Sequence, residues 1–177
     1  MSEYITKDSG KREEFTSGMV RDTQTDKMRF DLAFDGPLFW ALFNDSPVRE
    51  IIRAAQSWYA EGSIAQAANV ILAIIHYEGC TIFDFVERYA QLMLRGAVKY
   101  SEQNWMKAEG EAEYKRFRSS FCRHLKQYLN GEKDEDHMAA VFFNLNGAEY
   151  VRSKLRYLTC CGDCWPDECT CGIGCSK

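Results

Sequence analysis

The sequence has no excess of positive charge and no long apolar run. Its 177 residues include 22 Lys and Arg against 26 Asp and Glu, which gives a formal net charge of −4. This balance offers no general attraction for the phosphate backbone of a nucleic acid. The longest apolar stretch, residues 67–77, is far short of the roughly 20 residues that a bilayer span needs. We therefore expect neither a nucleic-acid polymer nor a membrane as a partner.

Two further patterns are missing from the sequence. The first residues show no basic region followed by an apolar run, so we expect no secretory signal and a cytoplasmic location. No segment shows the alternation of apolar and polar residues that marks a half-buried strand, so no strand is predicted. The composition, 46% hydrophobic and 27% charged, is that of a globular protein, and the length suits one domain with one core.

Helical periodicity dominates what the sequence does contain. Apolar residues recur at spacings of three and four, which predicts helices at residues 47–60, 63–77, 81–98, 111–129 and 134–157. Ser46 and Thr81 are suitable N-caps, the former with Pro47 at the first helical position, and Gly79 and Gly131 are suitable ends. The second helix is apolar nearly all round and is predicted to be buried. The predicted fold is therefore all-α, a helical bundle of about five helices.

The two ends of the chain are predicted to be less regular. Residues 1–20 are polar with glycine breakers and are predicted as a flexible arm, and residues 21–32 as an ordered loop. Cysteines are concentrated in residues 158–177, and without a secretion signal metal ligation is favoured over disulfides. Four of them could form a zinc site: Cys161, Cys164, Cys171 and Cys175. A redox-active or loosely ordered tail is the alternative.

An acidic run precedes the last predicted helix. Glu132, Asp134, Glu135 and Asp136 fall within five positions and are followed by His137. Acidic residues favour a helix N-terminus, but four exceed what capping requires. Carboxylates in such numbers are also the ligands that Mg²⁺ or Mn²⁺ prefers. Residue type alone leaves a metal site and a solvated acidic cap both open.

A polar stripe and a histidine mark the helix at residues 111–129. Arg116, Ser120, Arg123 and Gln127 recur at spacings of four, three and four, which fits either a solvated surface or a phosphate site. His124 shares a face with apolar residues and could be an ordinary core histidine.

Other polar residues are ambiguous in the same way. Glu87 shares a helix face with apolar groups, and a carboxylate there needs a partner. An arginine could supply it, or the side chain could simply reach solvent at the edge of the face. His137 and Asn144 lie seven residues apart and could frame a pocket or join helices. A loop contains the residues that could bind a base, a sugar and a phosphate, or could simply pack: Lys99, Tyr100, Asn104 and Trp105.

Taken in chain order, several segments resemble one family of phage proteins. They are residues 21–32, 87–90, 95–100, 104–105, 123–124, 131–137 and 139–144. Their order is similar to that of the phage dATP/dGTP diphosphohydrolases, which are related to the MazG-like all-α nucleoside-triphosphate pyrophosphatases. The resemblance covers residues 21–157. It implies a helical and often oligomeric protein that hydrolyses a purine deoxynucleoside triphosphate to the monophosphate and pyrophosphate, in the host cytoplasm if a phage encodes it.

The resemblance also implies roles for particular residues. Mg²⁺ (or Mn²⁺) would be held by carboxylates on two helices, which here are Glu87, Glu132, Glu135 and Asp136. Phosphate, sugar and base would be bound by Arg29, Lys99, Tyr100, Asn104, Trp105, Arg123 and Asn144. His124 or His137 would hold the attacking water. The MazG-like enzymes favour a second carboxylate three residues after the first, whereas Glu87 is followed by Ala90 at that spacing and by Gln91.

Residues 33–80 are helical and apolar in pattern and are absent from shorter members of the family. We expect this insertion to complete a dimer or to cover the pocket, and we expect a homo-oligomer. The competing hypothesis for the whole chain is a non-catalytic helical interaction module whose zinc-bound tail recruits a partner.

Overall fold

The computed structural model of the protein describes Tyr4 and residues 8–25, 27–43 and 45–159, apart from the side chains of residue 37 and residues 156–159. Most of these residues are helical, which confirms the all-α prediction. Two short helices come first, α1 (Phe30–Phe34) and α2 (Pro37–Ala41). The five predicted helices follow, with a 3₁₀ turn at Asn104–Lys107. They are α3 (Arg49–Glu61), α4 (Ile64–Glu78), α5 (Ile82–Tyr100), α6 (Glu111–Leu129) and α7 (His137–Thr159).

Capping residues explain where α4 and α5 begin. Ser63 accepts a hydrogen bond from the backbone N–H of Gln66 at 3.1 Å, and α4 ends at Gly79 in the left-handed region. At α5, Thr81 and Asp84 form a reciprocal capping box, as the predicted Thr81 cap requires. Together these caps separate α4 from α5 by only three residues and fix the point at which the chain turns.

Two predicted helix starts are wrong. Ser46 does not cap α3, because its hydroxyl accepts from the N–H of Val48, which itself occupies the N-cap position. Helix α7 begins at His137 and not at residue 134, because the Asp136 carboxylate accepts from the backbone N–H of Ala139 at 3.1 Å. The acidic run therefore precedes α7 and does not form its first turn.

The N-terminal segment contains a β-hairpin where no regular structure and no strand are predicted. Strands β1 (Arg12–Glu14) and β2 (Val20–Asp22) pair antiparallel, with Arg12 opposite Asp22. Each strand is only three residues long, too short for an alternating pattern to be visible in the sequence. Met19, at the turn, is fully buried and anchors the hairpin to the helical core.

Helices α6 and α7 form the centre of the fold. They are antiparallel, since Phe117 lies against Gly147 and His124 against His137. A Cβ at position 147 would lie 2.2 Å from Phe117 Cε1, so only glycine permits this close approach. Helix α3 joins the pair through Trp58, whose ring contacts Phe121 and whose indole N–H donates to Glu149 at 2.6 Å.

Helices α4 and α5 are less enclosed than α6 and α7. One face of α4 is buried, but Leu72 and Tyr77 are about half exposed, so the prediction of a buried helix holds for that face alone. On α5, Phe85 is buried beside Phe142 of α7, while Phe83 and Val98 are 86% and 85% exposed. No single described helix is both long and apolar enough to cross a membrane. Together α4 and α5 reach that length and composition, but they are bent by 111°.

Candidate active site

A cavity of about 770 Å³ lies between α6, α7, the C-terminal part of α5 and strand β2. The polar stripe of α6 lines it, with Arg116, Ser120, Arg123 and Gln127 all in the wall. Arg116 is only 6% exposed and Ser120 is fully buried. The stripe is therefore an interior wall of the protein and not a solvated surface.

Three of the arginines that line this cavity come from α6 and β2. Arg116 and Arg123 come from α6, and Arg21 comes from β2 at the other end of the sequence. The Arg21 guanidinium lies 4.7 Å from the ring centre of Phe117 and donates to Asn144 Oδ1 at 3.1 Å. Rigid packing on α6 and α7 thus holds the Arg21 side chain inside the cavity.

The three guanidinium groups retain unused donors. Arg21 Nη1, Arg116 Nε, Arg116 Nη1 and Arg123 Nη1 are buried and have no hydrogen-bond partner among the described residues. Glu13 lies 3.7 Å from Arg116 Nε, beyond hydrogen-bond distance. Buried cationic donors of this kind are costly unless an acceptor is supplied. The cavity is therefore suited to an anion with several oxygens.

The pKa values of these groups reflect the same crowding. Burial, together with the nearby charges of Arg116 and Arg123, lowers the pKa of Arg21 to about 9. Burial likewise lowers the pKa of Arg116 to about 10 and that of Lys27 to about 8. Each shift means that the cationic form is less favoured in the cavity than in water.

Asp22 is one of the carboxylates that line the cavity. It accepts from Lys99 Nζ at 2.9 Å, from the Tyr100 hydroxyl at 2.8 Å and from Arg12 at 2.9 Å. Burial would raise its pKa, but the hydrogen bonds from Lys99 and Tyr100 lower it overall. The structure therefore brings the predicted residues Lys99 and Tyr100 to the cavity, joined there by Asp22.

The other residues predicted to bind substrate have separate locations. Asn104 lines the cavity, but its amide bonds both the N–H and the C=O of Val20 and so fixes β2. Trp105 also lines it, with its ring against Tyr150. Arg29 lies outside the cavity wall, exposed and paired with Asp31 at 2.7 Å.

The four carboxylates predicted as metal ligands do not converge. Glu87 is exposed on α5 and does not line the cavity. Glu132 accepts from Lys126, Gln127 and Asn130 at 2.8 to 3.1 Å. Asp136 accepts two hydrogen bonds from Arg88, at 2.8 and 2.7 Å. Glu135 and Asp136 line the cavity, whereas Glu87 and Glu132 do not, so the four do not form one ligand set.

Two histidines lie behind Arg123. His124 and His137 are both buried, and their Nδ1 atoms are 3.1 Å apart. Arg123 Nη2 lies 3.2 Å from His124 Nε2, and His137 Nε2 lies 2.9 Å from Asp134 Oδ1. Burial, with Arg123 and His137 adding to it, lowers the pKa of His124 well below its usual range.

The same region contains two groups that could hold a metal ion. In each, one potential ligand atom per residue lies within 4.8 Å of the others. One group is His124, Glu135 and His137, and the other is Glu132, Asp134 and His137. The cysteines predicted to bind zinc, Cys161, Cys164, Cys171 and Cys175, lie outside the described residues.

Sequence reasoning did not assign Arg21, Asp22, Lys27 or Asp134 to the site. The first three lie in a segment predicted as a loop, where no helical period ties a side chain to a face. What could have indicated them is that they lie in residues 21–32, the first of the segments that resemble the phage family. Asp134 was visible only as part of the acidic run.

Comparison with known proteins identifies the family. The model of the family described as dATP/dGTP diphosphohydrolase, N-terminal, matches residues 65–153, half of the 177-residue chain. No curated protein and no solved structure matches. The matched region begins inside the predicted insertion and includes Lys99, Arg123, His124 and Asn144. From α4 to α7, therefore, this chain belongs to the dATP/dGTP diphosphohydrolase N-terminal family.

Proposed function

We propose that the protein hydrolyses dATP and dGTP to the monophosphate and pyrophosphate, in phage nucleotide metabolism. The observation that carries this proposal is the set of buried guanidinium nitrogens of Arg21, Arg116 and Arg123 that lack acceptors among the described residues. A triphosphate offers the several anionic oxygens that these donors need, and arginine binds phosphate through two N–H groups at once. The family match supports the identity of the nucleotide.

The size and lining of the cavity support a whole nucleotide as ligand. Its volume of about 770 Å³ lies within the roughly 300–1,000 Å³ usual for small-molecule sites. Beyond the arginines, the wall includes the aromatic rings of Tyr100, Trp105 and Phe143 and the amide of Asn144. Rings of this kind stack on a base, while hydroxyl and amide groups suit a sugar.

Hydrolysis at the α-phosphorus accounts for both products. The oxygen of an attacking water forms a bond to the α-phosphorus. The bond between the α-phosphorus and the oxygen that bridges to the β-phosphate breaks. Pyrophosphate leaves with the bonding electrons, and the water loses its protons to the medium. Arg21, Arg116 and Arg123 contribute by holding the charge that accumulates on the leaving pyrophosphate.

We further propose that turnover requires Mg²⁺ or Mn²⁺. Mg²⁺ in such sites is typically held by one or two carboxylates together with the substrate phosphates. Glu135, one of the two predicted carboxylates at the cavity wall, would hold it. When bound, the ion polarises a phosphate oxygen and lowers the pKa of a bound water. Glu87 is exposed outside the cavity wall, and Glu132 and Asp136 accept hydrogen bonds from Lys126 and Arg88 respectively.

The test is an assay of the full chain with each of the four deoxynucleoside triphosphates, with Mg²⁺ or with EDTA. Metal-dependent release of pyrophosphate from dATP and dGTP is expected. Arg123→Gln should abolish most of it, while Arg53→Gln, an exposed arginine on α3, should not change it. Absence of any turnover by the wild type would contradict the proposal and favour the non-catalytic module with a zinc-binding tail.

We also propose that the protein forms a homo-oligomer through α5. Phe83, Val86, Leu94 and Val98 are exposed apolar residues of this helix, and large exposed apolar patches mark interaction sites. Light scattering after size exclusion should give a multiple of the 20.4 kDa chain mass. Val98→Glu should reduce that mass, and a monomeric wild type would exclude the proposal.

A further inference from the structure

A continuous chain of hydrogen bonds leads from the cavity wall into the acidic run. It passes from Arg123 to His124 at 3.2 Å, from His124 to His137 at 3.1 Å, and from His137 to Asp134 at 2.9 Å. Each contact is within hydrogen-bond distance, and both imidazole rings use both of their nitrogens. The chain connects one phosphate-binding candidate with a carboxylate on the loop before α7.

The direction of every hydrogen bond in this chain follows from its two ends. Arginine has donors only, so His124 Nε2 must be the acceptor and carry no proton. A neutral His124 then has its proton on Nδ1 and donates to His137 Nδ1. That leaves the His137 proton on Nε2, where it donates to the ionised Asp134. The two histidines are therefore in opposite tautomers.

This order has an effect on Arg123. A carboxylate that accepts from an imidazole N–H polarises that ring, so that its other nitrogen becomes a better hydrogen-bond acceptor. The same polarisation passes through the His124–His137 hydrogen bond and makes His124 Nε2 a better acceptor for Arg123. That acceptor fixes one edge of the Arg123 guanidinium. Arg123 Nη1, buried and without a partner among the described residues, then has a defined position in the cavity wall.

We propose that Asp134, His137 and His124 are positioning residues that orient Arg123 for the substrate phosphates. This inference rests on the proposed function, because it takes Arg123 to bind the triphosphate. It also reassigns the two histidines, which the family resemblance suggested as holders of the attacking water. Neither ring has a nitrogen left to bind a water, since Arg123 and Asp134 occupy the outer ends of the pair.

A metal ion on His124, Glu135 and His137, the group that includes both histidines, is one competing arrangement. Binding through both Nδ1 atoms would require the proton between them to leave. His124 would then carry its proton on Nε2, directly opposite an N–H of Arg123. That arrangement sets two donors against each other and removes the contact that holds Arg123. The geometry therefore favours the hydrogen-bonded chain.

Nitrogen spectra of the histidine rings test this inference directly, and they do not depend on catalysis. In the full chain labelled with ¹⁵N-histidine, His124 should appear as the Nδ1–H tautomer and His137 as the Nε2–H tautomer. His76, exposed on α4, is the internal control. Addition of diamagnetic Zn²⁺ should leave the lone-pair nitrogens of both rings free of metal, with the tautomers unchanged. Identical tautomers, or the large shift that direct bonding of Zn²⁺ gives a lone-pair nitrogen, would overturn the inference.

Kinetics of pyrophosphate release provide the second measurement. Asp134→Ala and His137→Phe should each lower kcat/KM by about tenfold, because each interrupts the chain. Asp134→Asn should recover most of the loss, since its amide oxygen still accepts from His137, and His76→Gln should have no effect. In a double variant, Asp134→Ala should add little to the loss of kcat/KM caused by Arg123→Gln, because both substitutions act through the Arg123 guanidinium. Fully additive losses would overturn the positioning role.

The two measurements separate failure of the inference from failure of the proposed function. Opposite tautomers in a protein that hydrolyses no nucleotide would contradict the activity alone. Active protein with equal tautomers would contradict the positioning chain alone. Thermal unfolding of each variant identifies any that lose activity because they fail to fold.

Discussion

The arginine wall on α6 and the acidic run before α7 are both dense in charge, but the structure treats them in opposite ways. The carboxylates of Glu132 and Asp136 are saturated by neighbours of the same chain, Lys126 and Arg88 among them. The guanidinium groups of Arg116 and Arg123 are buried with donors unused by the described residues. A dense cluster of charge in a sequence therefore does not identify a binding site by itself. Here the site is indicated by buried charged groups whose hydrogen-bond donors lack acceptors among the described residues.

The largest expected effect comes from Arg21→Met. Removal of this cation takes away a phosphate donor, and pyrophosphate release should fall by about 100-fold or more. Stability should change little, because removal of the repulsion from Arg116 and Arg123 offsets the loss of the hydrogen bond to Asn144. Initial rates and thermal unfolding of the same preparations measure both. A clear loss of stability would mean that Arg21 is structural and would weaken the comparison.

Arg88→Met is the matched substitution on the saturated side. It leaves Asp136, whose side chain is 2% exposed, without its bidentate partner. The free energy of unfolding should fall by about 3 kcal/mol. Urea denaturation measures this directly. An unchanged free energy of unfolding would show that Asp136 finds another partner and that its pair with Arg88 does not stabilise the fold.

The pH dependence of pyrophosphate binding tests the cationic cavity through Lys27, which lines it. Burial lowers the pKa of Lys27 from 10.5 to about 8, and a bound anion should raise it again, so binding near pH 8 takes up protons. Affinity should fall as the pH rises through 8. In the ligand-free protein the same shift makes stability increase between pH 8 and 10.5, where the unfolded chain binds more protons. Calorimetry in two buffers of different ionisation enthalpy measures the uptake, which Lys27→Met should reduce.

Glu132→Gln should have the smallest effect. Hydrogen bonds from Lys126 and Gln127 lower the pKa of Glu132 to about 2, so its contribution is complete above its usual 4.5 and is lost as the pH falls toward 2. Because the pair is partly exposed, the loss at neutral pH should be about 0.5 kcal/mol. Activity should be unchanged. A large loss of activity would indicate that Glu132 is a metal ligand, as the family resemblance implies.

Sequence periodicity was sufficient for the helices and for one wall of the site. It located α6 to the residue, and the spacing of Arg116, Ser120, Arg123 and Gln127 placed them on one side of it. It could not show that this side is buried, since that depends on which segment covers it. Arg21 comes from a three-residue strand without a readable period. For Glu87 the periodicity identified the helix face on which it lies but not whether another element packs against that face. In the structure Glu87 is exposed on α5.

The Arg21–Asn144 hydrogen bond joins residues 123 positions apart in the chain. Loop closure over such a distance is slow compared with formation of the α6–α7 pair, whose connection is short. A chain that emerges progressively from a ribosome therefore contains β2 early but cannot complete the cavity until α7 has been synthesised and packed. We expect nucleotide binding to appear after helix formation during refolding, as the last property that the protein acquires.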